Sequence, residues 1–190
     1  MNTKEKLAQA LKEACQTQKL DQIKIQNLTQ MAGINRQTFY YHFKNIEELF
    51  SWVYVNEALV HLRIDSLSLD NWEEQALKML KVIQADGRFY QTILKTHHHL
   101  FLENFMQTVQ PAFVRLFMQM DVNKELSRED MEFYSRFFSY GCTGILETWI
   151  RDDFPQSAFE IAVQLYRLAT DMEFFAYRIY QEKEIGRAHV

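Results

Sequence analysis

Apolar positions recur at helical spacing along almost the whole chain. Leu7, Leu11, Ala14 and Cys15 stand three or four apart and predict a first helix with one buried stripe. Ile23, Ile25, Leu28 and Met31-Ala32 predict a short second helix, and Gly33 marks a turn after it. Phe39 and Phe43 lie four apart, so they share one face of a third helix and can pin it to a core. Gln37, Tyr41 and Lys44 fall on the opposite side, with Thr38 and Tyr40 flanking. Asn35 stands where its side chain can accept from the free backbone N–H groups that open this helix. Helix, glycine-bearing turn and helix, with a further helix ahead of the pair, is the helix-turn-helix arrangement.

The pattern stays helical beyond Lys44. Asn45 and Glu48 form a capping pair for a long helix carrying Leu49, Phe50, Val53 and Val60, expected to end near Asp65-Ser66. Asp70 precedes Trp72-Glu73-Glu74 as a second start, and Asp86-Gly87 closes that helix. A short helix is expected from Phe89 to Thr96. A long one follows from Leu100 to about Met120, kinked or divided at Pro111. Ser127 with Asp130 opens a helix with one stripe of Met131, Tyr134, Phe138, Cys142, Ile145 and Trp149, and a second of Phe133, Phe137, Tyr140 and Gly144. Ser157 with Glu160 is a capping box for the final helix. Its first stripe is Ile161, Leu165, Leu168, Met172, Phe175 and Ile179, and its second is Phe159, Val163 and Tyr166. Two apolar faces on each of these helices predict that both are sandwiched, and a symmetric four-helix dimer interface supplies the second layer. Gly141 and Gly144 would permit close backbone approach there. The expected fold is all-α. It has a helix-turn-helix domain over 1–46 and a helical regulatory and dimerisation domain over 47–183. Residues 184–190 form a tail that breaks the helical pattern and matches the translation of a sequencing-adapter oligonucleotide; it is expected to be non-native.

Composition narrows the class. Five Gly, two Pro and 47% hydrophobic residues in 190 point to compact helices rather than disorder. The first twenty residues carry charges throughout, so no secretory signal is expected, and no run approaches the roughly 18 apolar residues of a membrane span. Two cysteines are too few for a disulfide framework, and Cys15 and Cys142 sit on apolar stripes, where inert core thiols are the usual case. The net charge of −4 looks wrong for a nucleic-acid binder until it is divided. Residues 1–45 hold seven Lys/Arg against three acids, a balance of +4, and the remainder carries −8. Positive potential belongs to the segment that would meet phosphates.

The third helix carries the candidate chemistry. Arg36, Gln37, Thr38, Tyr40, Tyr41, His42 and Lys44 present donors, acceptors, hydroxyls and cations suited to a groove lined with phosphates and base edges. Gln37 is the expected base reader through its two-pronged amide, while Tyr40, Tyr41, His42 and Lys44 are expected on phosphates. His97-His98-His99 resembles a metal cluster, but adjacent helical residues point about 100° apart, so they cannot all face one ion. No metal and no cofactor are expected. No nucleophile elbow, phosphate loop or dinucleotide signature occurs, so no enzyme activity is expected. Phe89, Tyr90, Phe101, Phe105, Phe113, Phe117, Tyr140 and Trp149 could line a pocket, though such a stripe more often builds core.

The stretch from Ile23 to Leu49 resembles the DNA-binding domain of the TetR/AcrR transcriptional regulators. The resemblance rests on the Ala32-Gly33 turn, the Thr38-Phe39-Tyr40-x-His42-Phe43 helix and the trailing Glu47-Glu48-Leu49. It implies an N-terminal reading head on double-stranded DNA, a palindromic operator, a homodimer through the last two helices and a cytoplasmic location. An unknown small-molecule effector or protein co-regulator is implied for the body. Asn35 and Lys24 join the DNA-contacting set on the same ground. Lys24 stands where the family often has a capping Thr or Ser, and Ile46 replaces a common lysine. These departures put the cap of the second helix and one phosphate contact in question. Tyr140-Gly-Cys-Thr-Gly-Ile-Leu-Glu-Thr-Trp-Ile and Phe154-Pro-Gln-Ser are similar to the C-terminal domain of the dihydroxyacetone kinase regulator-like group. The family implies repression released by an effector ahead of activation with a protein co-activator. A helical protein-interaction module without DNA function is the remaining rival.

Overall fold

The computed structural model describes residues 1–65, 67–121, 124, 126–169 and 171, and all the regular structure among them is helical. Helix α1 spans Thr3–Ala14, α2 Ile25–Met31 and α3 Arg36–His42. A single 3-10 turn, Leu20–Gln22, joins the first two. Helix α4, Ile46–Val53, runs on through a π-helical turn, Tyr54–Ala58, and a 3-10 turn, Leu59–Leu62. Then follow α5 Trp72–Ala85, α6 Gly87–Thr96, α7 His98–Met120, α8 Arg128–Arg151 and α9 over 158–169. The expected stripe positions Met172, Phe175 and Ile179 and the tail 184–190 lie outside the described residues.

Local chemistry sets most of these boundaries. Asn2, Asn35, Asn45 and Ser127 each accept a backbone N–H through the side chain at the start of α1, α3, α4 and α8. Ser157 and Glu160 form the reciprocal box that opens α9: Glu160 N–H donates to Ser157 Oγ at 3.2 Å and Ser157 N–H to Glu160 at 2.7 Å. Helix α2 has no side-chain cap at Lys24. Gly33 has φ +65°, the left-handed conformation that ends α2 and favours glycine.

The core is continuous from head to body. Leu7, Leu11, Leu28, Phe39 and Leu49 are fully buried in one cluster with Phe50, Tyr54, Phe89 and Phe101. Four expectations fail in informative ways. Met31 is exposed, because the buried face of α2 follows Ile25, Leu28 and Ala32, and Met31 lies off that spacing. Val60 is half-buried, and Leu59 and Leu62 take the inner face, because the π-helical turn delays the register by a residue. The helix also stops at Leu62 rather than near Asp65. On α8 the line facing α7 includes Ser135, Ser139 and Thr143, all buried, while Tyr134 and Ile145 are exposed. Ser139 and Thr143 donate to the carbonyls four residues back, each at 2.7 Å, so their hydroxyls are satisfied within their own helix. Small, internally bonded side chains act there as close-approach surface. Pro111 sits on the exposed side of an undivided α7, where its missing N–H is tolerated.

Candidate nucleic-acid interface

Helix α3 is held from one side and open on the other. Phe39 and Phe43 are buried, their rings 6.0 Å apart, and Phe43 meets Trp52 of α4 edge-on at 6.1 Å. Lys4 of α1 stands 5.7 Å from both the Phe43 and the Trp52 ring, which fixes a cation beside the base of α3. Composition predicted the basic head but did not single out Lys4. The N-terminus of α3 is rigid because Asn35 Oδ1 accepts from both the Thr38 N–H at 2.8 Å and the Thr38 hydroxyl at 2.9 Å. At the other end the Lys44 N–H donates to the Glu48 carboxylate at 2.6 Å, and Glu48 N–H donates to Asn45 at 2.8 Å. The turn from α3 into α4 is thereby locked. Glu48 was expected to cap; its grip on the Lys44 backbone was not legible without the turn.

The outer face carries most of the expected residues together. Arg36, Gln37, Tyr40, Tyr41 and Lys44 are exposed, Tyr41 to 84% and Tyr40 to 47%. Arg36 Nη2 donates to the Tyr40 hydroxyl at 3.0 Å. His42 is half-buried, its ring edge-on to Tyr41 at 5.0 Å, and Thr38 is half-buried under its bonds to Asn35. Lys24 is exposed at the start of α2 rather than on α3. Tyr40 and Tyr41 each present an apolar ring and a hydroxyl to solvent from a braced helix, a surface suited to contact with a partner.

The body connects to this head through named contacts. Lys12 of α1 pairs with Glu57 at 2.7 Å and Asp86 at 3.1 Å, so one ammonium joins the π-helical turn and the α5–α6 corner. Burial opposes the Lys12 charge, but the two carboxylates outweigh it and hold the pKa above its ordinary value. The histidine run is dispersed: His97 reaches Glu47 of α4 at 3.2 Å and His98 reaches Glu147 of α8 at 2.8 Å. Among the described residues no group of three or more His, Cys, Asp or Glu has metal-holding geometry. Burial pushes the Cys15 thiol up to about 12 and Cys142 up to about 11. An apolar cavity of about 120 Å³ lies between α5, α7, α8 and α9, with Met79, Phe105, Phe113, Cys142 and Leu165 in its wall. Of the aromatic residues expected around a pocket, Phe105 and Phe113 reach this one, and Tyr140 and Trp149 line a second between α8 and α9. Phe89, Tyr90 and Phe101 build the main core instead, against Phe50 and Tyr54.

A helix-turn-helix head joined to an all-helical body defines a class of regulators, and known proteins of that class are similar to this chain. Residues 70–171 match the family described as "Transcriptional regulator C-terminal region", of the TetR type. The chain belongs to the TetR-type transcriptional regulators. A relative is the HTH-type dhaKLM operon transcriptional activator DhaS of Lactococcus lactis subsp. lactis (strain IL1403), 34% identical over 113 residues. That match takes in 56% of this chain and 60% of the relative. Among solved structures, "Dihydroxyacetone kinase operon activator DhaS" is similar with a TM-score of 0.70 and 25% identity, over 90% of this chain and 95% of that one. No described helix is long and apolar enough to cross a membrane.

Proposed function

We propose that this protein is a sequence-specific DNA-binding transcriptional regulator that reads a palindromic operator as a homodimer. The observation that carries this reading is the outer face of α3. Arg36, Gln37, Tyr40, Tyr41 and Lys44 are held to solvent by a helix braced at both ends. Lys24, Asn35, Thr38 and His42 join them as contacts on the approach to the groove. The division into a reading head over 1–46 and a body over 47–183 follows from the same assignment, with α4 as the shared strut. The protein acts on cytoplasmic DNA and catalyses no reaction.

The dimer forms through α8 and α9. Phe133, Phe137 and Phe159 are 61%, 63% and 62% exposed in the single chain, and Gly141 and Gly144 open space beside them. Self-complementary association would cover these rings, and the two α3 helices would then sit about one helical turn of DNA, roughly 34 Å, apart. The resemblance to TetR-type proteins by itself favours repression. The relatives described above are named as activators, and that similarity favours the alternative, activation with a protein co-activator.

Selection of bound duplexes from a random pool, with wild type and Tyr40→Ala in parallel, tests the reading. An enriched palindrome lost in the mutant, with dimerisation retained, supports it. A folded wild-type dimer that enriches nothing overturns it in favour of a helical interaction module. A reporter behind the selected operator then gives the sign. Increased transcription fits activation, and decreased transcription returns the protein to repression.

A further inference from the structure

One contact on the first turn of α3 says more than general affinity for DNA requires. Arg36 Nη2 donates to Tyr40 Oη at 3.0 Å, and Arg36 Cζ lies 5.4 Å from the centroid of the same ring. The residues are four apart, hence neighbours on one helical surface. The Tyr40 ring is itself anchored, edge-on to the fully buried Phe39 at 5.6 Å. The guanidinium is thus tied through a ring to the core, although both side chains are exposed. A flexible surface arginine loses much rotamer freedom on binding, and one already held loses less.

The chemistry of the held group selects its target. A guanidinium has five N–H donors and no acceptor, so one bond to Tyr40 leaves four. Two parallel donors match the N7 and O6 acceptors of guanine in the major groove. Adenine offers an acceptor beside a donor and mismatches the fork. Phosphate also accepts such a fork, so position has to decide. Arg36 is the first residue of α3, and helix-turn-helix recognition helices present their N-terminal residues to base edges. Tyr40 accepts from Arg36 and keeps its own O–H to donate, which leaves it able to hold a phosphate at the same time.

We propose that Arg36 reads a guanine in each operator half-site, and that Tyr40 is the positioning residue that orients its guanidinium. The assignment rests on the DNA-binding reading above. It also moves base recognition toward Arg36 from Gln37, the reader that side-chain chemistry alone favours.

The test uses the operator that wild-type protein selects. Each guanine of a half-site is replaced in turn by 7-deazaguanine, which pairs normally but carries C–H in place of N7. Affinities are measured for wild type, Arg36→Ala and Tyr40→Phe at two salt concentrations. One guanine is expected at which the analogue weakens wild type by about 10-fold or more. At that guanine the analogue should cost Arg36→Ala nothing and Tyr40→Phe less than wild type. The salt slope of Tyr40→Phe should match wild type, because a neutral hydroxyl releases no counterion. If Arg36→Ala keeps the wild-type analogue effect at every guanine, Arg36 is a phosphate clamp and the assignment is wrong. A full wild-type analogue effect in Tyr40→Phe overturns the positioning role. Failure of folded, dimeric wild type to select any sequence overturns the DNA-binding reading instead, and this assignment with it.

Discussion

Asn35 carries more of α3 than its size suggests. Its carboxamide accepts two bonds from Thr38, at 2.8 and 2.9 Å, and so fixes the turn that presents Arg36 and Gln37. Replacement by alanine removes the cap and is expected to cost about 1 kcal/mol of stability. Urea unfolding measures that loss. Under the proposed function, operator affinity should fall further than the lost stability accounts for, because the first turn of α3 loosens where it would meet the groove. Equal affinity for wild type and Asn35→Ala would mean the turn is held by other contacts. Asn35 was legible as a cap in the sequence because a single side-chain acceptor at the right position suffices. The tie between Arg36 and Tyr40 was not, since a four-residue spacing permits the contact without requiring it.

At the scale of elements, Lys12 joins three of them. One ammonium on α1 meets Glu57 in the π-helical turn and Asp86 at the α5–α6 corner. Lys12→Met would leave two half-buried carboxylates without their cation. A loss of about 1–3 kcal/mol is expected, between the limits for exposed and for fully buried pairs. The pH dependence follows from the raised pKa of Lys12. A raised folded pKa stabilises fully below the ordinary value of 10.5 and ceases to stabilise as pH climbs through the folded value. Unfolding of wild type and Lys12→Met should therefore differ by a constant amount from pH 7 to 9. The gap should narrow above about pH 10.5. A gap that stays constant through that rise would assign the effect to packing of the lysine stem. Sequence spacing could not reveal this junction, because 45 and 74 residues separate Lys12 from its partners. The register shift that turns Val60 off the inner face and favours Leu59 has the same character: it follows from a π-helical turn, which the apolar spacing did not predict.

For the whole molecule, the proposed dimer rests on the exposed aromatic face of α8. Phe137→Glu places a charge where two copies would meet and is expected to convert dimer to monomer, read by sedimentation or light scattering. Thermal stability of the single chain should change little, because Phe137 is 63% exposed. Affinity for a two-half-site operator should fall while affinity for one half-site persists, since the second head is no longer held in place. A stable dimer of the Phe137→Glu protein would locate the interface elsewhere.

Helical periodicity, caps and turn residues by themselves determined the all-helical class, the helix starts at Asn35, Asn45, Ser127 and Ser157, and the polar outer surface of α3. These are local properties, set by side chains within four residues of one another. The tertiary structure decided which of two apolar stripes turns inward on α8, and why Ser135, Ser139 and Thr143 belong to the buried line. It also decided which aromatics surround the cavity and which ring holds Arg36. Those outcomes depend on the shape of a neighbouring helix and on contacts between distant segments. Polarity along a chain does not encode that information, because a hydroxyl bonded to its own helix and a hydroxyl facing water are the same letter.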